Sequence, residues 1–129
     1  MSNILSLPLA DLTIVTVSNE DWIESMKYVV MSEEDPENPP QLDLRGIWFE
    51  MEVRRRTDDH EVILSASRAD GRLLIGAYPN YGYVLLKVPV DVMKITPAGQ
   101  YVGDIVAHDG TFSRTVAQIA LTIERGITR

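Results

Sequence analysis

Residues 96–129 read TPAGQYVGDIVAHDGTFSRTVAQIALTIERGITR, and this stretch decides the fold class. Two runs that alternate apolar and polar residues flank the dipeptide Asp109-Gly110. Asp-Gly between such runs is the strongest short-range hairpin signal, because the tight turn asks both central residues for positive φ. In the second run Ala117, Ile119, Leu121 and Ile123 share one apolar face. The stretch holds no recognisable catalytic group. Asp109 reads as a turn former, and Asp104 as an acid on a sheet surface.

Upstream the same grammar repeats. Residues 12–17 (LTIVTV) are rich in β-branched side chains and read as a strand. Residues 23–31 (IESMKYVVM) read as a second strand with Met26, Tyr28 and Val30 on one face. A helix over 20–31 is the competing reading, since Trp22, Met26 and Val29 or Val30 also fit helical spacing. In residues 47–53, Ile47, Phe49, Met51 and Val53 face one way, while Trp48, Glu50 and Glu52 face the other. That is the alternation of a sheet with one wetted face. Residues 62–66 return as its hairpin partner, and 73–75 and 83–88 add two more strands. Residues 89–95 (PVDVMKI) predict one helical turn, with Pro89 ahead of it. Seven to nine short strands with a turn every ten or so residues predict a single all-β domain, an immunoglobulin-like antiparallel sandwich spanning 1–129.

Two segments stand apart from the strands. Residues 32–41 form an acidic, proline-rich loop, since Pro36, Pro39 and Pro40 cannot pair in a central strand. Residues 1–10 carry Ile4, Leu5, Leu7 and Leu9 with no turn of their own. They are either an extended arm that pairs with a neighbouring subunit's sheet edge or an ordinary first strand.

Composition narrows the function classes. The chain is 45% hydrophobic and 24% charged, which suits a soluble globular domain rather than a disordered one. It has no cysteine, so disulfides, thiolate catalysis and Cys-based zinc sites are excluded. No apolar run has the length to span a bilayer, and the N-terminus lacks the basic and apolar regions of a signal peptide. The net charge is −7, from 14 acids and 5 bases in residues 1–64 and 5 acids and 7 bases in 65–129. An acidic chain is a poor ligand for a phosphate backbone, and the one basic run, Arg54-Arg55-Arg56, is followed at once by Asp58-Asp59. The opposed signs of the two halves favour head-to-tail association.

Chemistry-bearing residues are few. His60 and His108 sit beside turn acids, where solvated side chains are the rule and ligands the exception. Glu33, Glu34, Asp35 and Glu37 lack the spacing of a calcium loop. No serine lies in a Gly-x-Ser-x-Gly elbow, and no glycine-rich phosphate loop is present. We therefore expect no catalytic residue, metal or cofactor. The segment AYPNYGY places Tyr78, Tyr81 and Tyr83 around Pro79 and Gly82, and tyrosine-rich loops are common recognition surfaces. Packing of two of these rings against the sandwich is the other reading. Trp48, on the polar face of its strand, is either a second contact residue or the cover of a sheet edge.

One longer pattern remains. It runs through Leu42-Asp43-Leu44-Arg45-Gly46, Arg54-Arg55, Asp70-Gly71, Val88-Pro89, Gly99-Gln100-Tyr101, Asp104-Ile105, Asp109-Gly110, Arg114 and Gly126-Ile127-Thr128-Arg129. The layout resembles small phage and prophage structural proteins, which in turn resemble the immunoglobulin-like N-terminal domain of phage upper-baseplate and tail-fibre proteins. The resemblance covers about residues 42–129. Those relatives read Leu-Thr-Gly where this chain has Leu44-Arg45-Gly46. The resemblance implies a virion or prophage structural protein, not an enzyme, that binds other virion or tail proteins; the apolar N-terminal residues and the charge asymmetry add the expectation of a homo-oligomer. The expected location is the virion or the bacterial cytoplasm, and the acidic charge and the lack of a spanning run lead us to expect neither nucleic acid nor membrane as partner. A carbohydrate- or receptor-binding module using Trp48 and residues 78–83 is the first alternative. A small enzyme or metal protein using the His60 or His108 turn is the second.

Overall fold

The structure, a computed structural model, describes residues 2–30 and 37–126. Most of the acidic loop, 32–36, and the end of the family-like pattern, 127–129, lie outside the described residues. Among the described residues, alternating burial produces eight strands: β1 (Ala10–Val17), β2 (Trp22–Lys27), β3 (Trp48–Arg54), β4 (Leu64–Ser67), β5 (Leu73–Ile75), β6 (Tyr83–Val88), β7 (Gly99–His108) and β8 (Ser113–Glu124). They form two sheets, one of order β1-β8-β7-β3-β4 and one of order β2-β6-β5. The chain is an all-β sandwich. The expected helical turn is present as α1 (Val90–Ile95), which links β6 in one sheet to β7 in the other.

The core lies between the sheets. Phe49, Met51 and Val53 of β3 are buried, as are Ile119, Leu121 and Ile123 of β8 and Val84, Leu86 and Val88 of β6. Trp22 enters from β2 at 2% exposure, so the strand reading of this segment holds and the helix does not form. Tyr28 stacks on Phe49 with ring centres 6.3 Å apart, and burial pushes its hydroxyl pKa up. Val30 was expected on the Met26–Tyr28 face, yet it is 44% exposed. By then β2 has ended, and an isolated bridge from Val29 to Gln41, with Val30 N–H donating to the Pro40 carbonyl at 2.8 Å, carries the chain on.

Three expectations are corrected. The sandwich is not antiparallel throughout, because β1 pairs with β8 in parallel from Ala10↔Ala117 to Val17↔Glu124. Antiparallel neighbours are imposed by short turns, but nearly the whole chain separates β1 from β8, so no turn sets their direction. The Asp109-Gly110 turn is not the two-residue type. Gly110 has φ 90°, but among the described residues no non-glycine residue has positive φ. Instead residues 109–112 make a longer loop closed by the pair His108↔Ser113. Asp109 Oδ1 accepts from the backbone N–H of Thr111 at 2.8 Å and of Phe112 at 2.7 Å. Its side chain does the work that a left-handed backbone would otherwise do.

The third correction concerns residues 2–9, which are neither an arm nor a strand. They wind through one 3-10 turn, Ile4–Ser6, and bury Ile4 and Leu7 in the chain's own core at 1% exposure each. Asn3 Nδ2 donates to the Asp43 carbonyl at 2.9 Å, the Ser2 hydroxyl donates to Asp109, and Arg114 Nη1 donates to the Leu5 carbonyl at 2.9 Å. Spaced at i and i+3, Ile4 and Leu7 share one side of a turn, which period-2 reading cannot detect.

Candidate functional site

One end of the sandwich collects the exposed side chains that most need explanation. Three segments build it, with the N-terminal 3-10 turn beside them: the chain leading into β3, the loop joining β5 to β6, and the turn joining β7 to β8. In the first, Leu42, Leu44 and Ile47 are buried, so Asp43 and Arg45 project outward between them. Gly46 takes φ 85°, which lets the chain turn back towards β3. Arg45 forks onto Asp43, with Nε at 3.0 Å from Oδ1 and Nη2 at 2.6 Å from Oδ2. Its guanidinium also lies over the Tyr81 ring, 4.5 Å from the centre.

The second segment is anchored by its backbone. Leu44 N–H donates to the Tyr81 carbonyl at 3.1 Å, and Gly82 N–H donates to Gln41 Oε1 at 2.9 Å. A side chain at Gly82 would sit 2.7 Å from Gln41 Cβ and 2.9 Å from the Tyr28 carbonyl, so the close approach needs glycine. The Tyr78-Pro79 peptide is cis. Tyr78 is left 81% exposed, edge-on to Tyr81 at 6.1 Å. Across Arg45, the third segment presents Phe112 at 49% exposure beside Leu5 at 61%. A hollow of about 620 Å³ lies between Ser2, Leu5, Arg45, Asp109 and Phe112.

Of the four residues singled out from the sequence, the fold brings two together. Tyr78 and Tyr81 share this end. Tyr83 turns to the outer face of the three-stranded sheet, where Lys27 Nζ lies 5.7 Å from its ring centre. Trp48 packs among neighbours on the outer face of the five-stranded sheet. Its ring stacks on His108 at 5.9 Å, and Arg68 lies over it at 4.8 Å. Arg45, Leu5 and Phe112 were not singled out. Arg45 had a signal, since it is where the chain departs from Leu-Thr-Gly. Phe112 had a weaker one, as an aromatic directly after turn residues.

Electrostatics at this end are local. The Arg45 side chain, then its backbone N–H, hold the Asp43 carboxyl at a pKa of about 2. The Ser2 hydroxyl, followed by the backbone N–H groups of Phe112 and Thr111, pulls Asp109 below the usual carboxylate range. Both shifts are downward, so whatever these acids add to stability is complete above pH ~4, where an unfolded Asp is ionised. For Asp43 it is lost as the pH falls towards about 2. In Arg45→Ala, we expect an NMR titration to find the Asp43 carboxyl moved up from about 2 towards ~3.9. It should stop short of that value, because the backbone N–H of residue 45 remains. An unmoved Asp43 would contradict the fork.

Among the described residues, no three His, Asp or Glu side chains come together as a metal-binding group. His60 is exposed, and His108 Nδ1 shares a hydrogen bond with the Ser113 hydroxyl at 2.7 Å. Among the same residues no helix is long and apolar enough to cross a membrane. No protein-family model matches the chain, and no curated protein matches it.

Proposed function

We propose that this chain is a structural module of a phage or prophage particle that binds another particle protein through its loop end. The observation that carries the reading is the surface formed by Tyr78, Tyr81, Arg45, Leu5 and Phe112, which projects from a rigid sandwich. Aromatic rings and arginine are the side chains enriched in interface cores. Because the backbone under each ring is tied down, little conformational freedom is lost on binding.

We further read the sandwich as immunoglobulin-type. Its support is the strand order, with β3, β7 and β8 adjacent in one sheet and facing β2-β6-β5. The Tyr101 hydroxyl, near the start of β7, donates back to the Pro97 carbonyl at 2.5 Å, in the manner of a tyrosine corner. The chain departs from antibody domains in having no cysteine bridge, and Phe49 fills the core where they carry a buried tryptophan.

Particles purified from the host that carries the gene should contain the chain in a fixed ratio to the other particle proteins. Truncating a central interface ring costs about 2 kcal/mol or more, roughly thirtyfold in affinity. Tyr78→Ser/Phe112→Ser should therefore fold normally and yet be missing from the particles. A wild-type chain that never travels with particles overturns the reading.

A further inference from the structure

We propose that copies of this chain stack head to tail, the outer face of the three-stranded sheet of one copy against the outer face of the five-stranded sheet of the next. This rests on surfaces that share no residue with the loop end, so it stands or falls separately from the particle-binding reading.

The first face is an apolar row between two cations. Ser25, Leu85 and Leu74 lie in register across β2, β6 and β5. On one side of them Ile23 pairs with Lys87, and on the other Lys27 pairs with Tyr83. Ile23 is 64% exposed, Leu85 45% and Leu74 42%. Among the described residues of these strands, no outward position carries a carboxylate. Glu24 belongs to the inward side, where it accepts from Trp22 Nε1 at 3.2 Å. In a chain of net charge −7, a basic apolar face is out of character with the rest.

The second face is its complement. Asp11, Gln118, Asp104 and Glu52 lie in one row across β1, β8, β7 and β3. The next row, Thr13, Ala120 and Val102, is built of small side chains and ends at Arg54. A hollow of about 440 Å³ lies over these two rows. Arg54 is held by Glu52 at 2.8 Å, and Arg56 stands at the rim. Neither Asp11 nor Asp104 has an ion pair among the described residues. Asp104 and Glu52 are directly opposite each other, an arrangement of like charges that a partner cation relieves. Leu74 and Leu85 of one copy fit the small-residue hollow of the next, with its Lys27 and Lys87 against the carboxylate row.

Both faces are present in one molecule and point in opposite directions, so the contact is heterologous and builds rings or open chains. A three-stranded face is small beside the roughly 800 Å² per partner of a stable interface. The association is therefore weak, and its charge pairs are screened by salt.

Sedimentation at sub-millimolar concentration and low salt tests it. The weight-average mass should rise above that of one chain and return to it in ~1 M salt. Lys27→Glu/Lys87→Glu and Asp11→Lys/Asp104→Lys should each be monomeric, while their equimolar mixture regains association. Lys27→Gln/Lys87→Gln, the milder variant, should weaken self-association without reversing any charge. The proposal is overturned if the wild type stays monomeric, even if it binds some other acidic protein. It is also overturned if association survives Asp11→Lys/Asp104→Lys, or if the mixture stays monomeric.

Discussion

Replacing Ile4 and Leu7 together by alanine is expected to bring the whole domain close to unfolding at room temperature. Each side chain is 1% exposed and belongs to the same apolar cluster as Phe49 and Trp22. A buried Leu or Ile cut to alanine costs about 2–5 kcal/mol, through lost transfer energy and the cavity left behind. The two lie one turn apart, with the Leu7 N–H donating to the Ile4 carbonyl at 3.2 Å, so their effects will not simply add. Even so, the loss takes up much of the roughly 5–15 kcal/mol that stabilises a domain of this kind. Leu5→Ala and Leu9→Ala are the controls, because these side chains are 61% and 56% exposed. They should change stability by no more than about 0.5 kcal/mol. Urea denaturation checks all of these variants. If Ile4→Ala/Leu7→Ala kept the wild-type midpoint, the N-terminal segment would be a loose arm after all.

Trp22→Ala is the second large effect, at about 3–5 kcal/mol. The indole is 2% exposed between the sheets, and its N–H reaches Glu24 Oε1 at 3.2 Å. Trp22→Phe should cost less, because most of the volume stays and Glu24, only partly buried, can turn to water. Trp48→Ala should cost less again, since Trp48 lies on the outer face of β3. These are the two tryptophans of the chain. The Trp22 variants therefore leave Trp48 as a fluorescence probe of unfolding, and Trp48→Ala leaves Trp22. Equal losses at the two positions would contradict the assignment of inside and outside faces.

Much of the architecture was legible in the residues. Phe49, Met51 and Val53 announce one buried face, and Ala117, Ile119, Leu121 and Ile123 another. Both are buried as the alternation requires. Side chains alternate across any strand, so this information is local and survives without knowledge of the partner strand. The loop end was only half legible. Tyr78 and Tyr81 stood out because they crowd a loop of glycine and proline. Arg45, Leu5 and Phe112 stood out less, because nothing in its own segment links any of them to the tyrosines. They meet only when the N-terminal turn, the entry to β3 and the β7–β8 turn reach the same end of the sandwich.

Periodicity and turn residues thus establish the strands, their buried faces and the all-β class. Those properties depend on neighbours in the chain. Three others depended on packing. The parallel pairing of β1 with β8 joins the two ends of the sequence, where no connecting turn dictates direction. The 3-10 turn that buries Ile4 and Leu7 forms because the core offers them a place. The hairpin around Asp109 follows the same rule. The dipeptide told where the chain reverses, but the geometry of the reversal came from contacts at a distance. Asp109 bonds two backbone N–H groups ahead of it and the Ser2 hydroxyl from the far end of the chain. A side chain held from both sides has no need of the strained backbone that the dipeptide alone suggests.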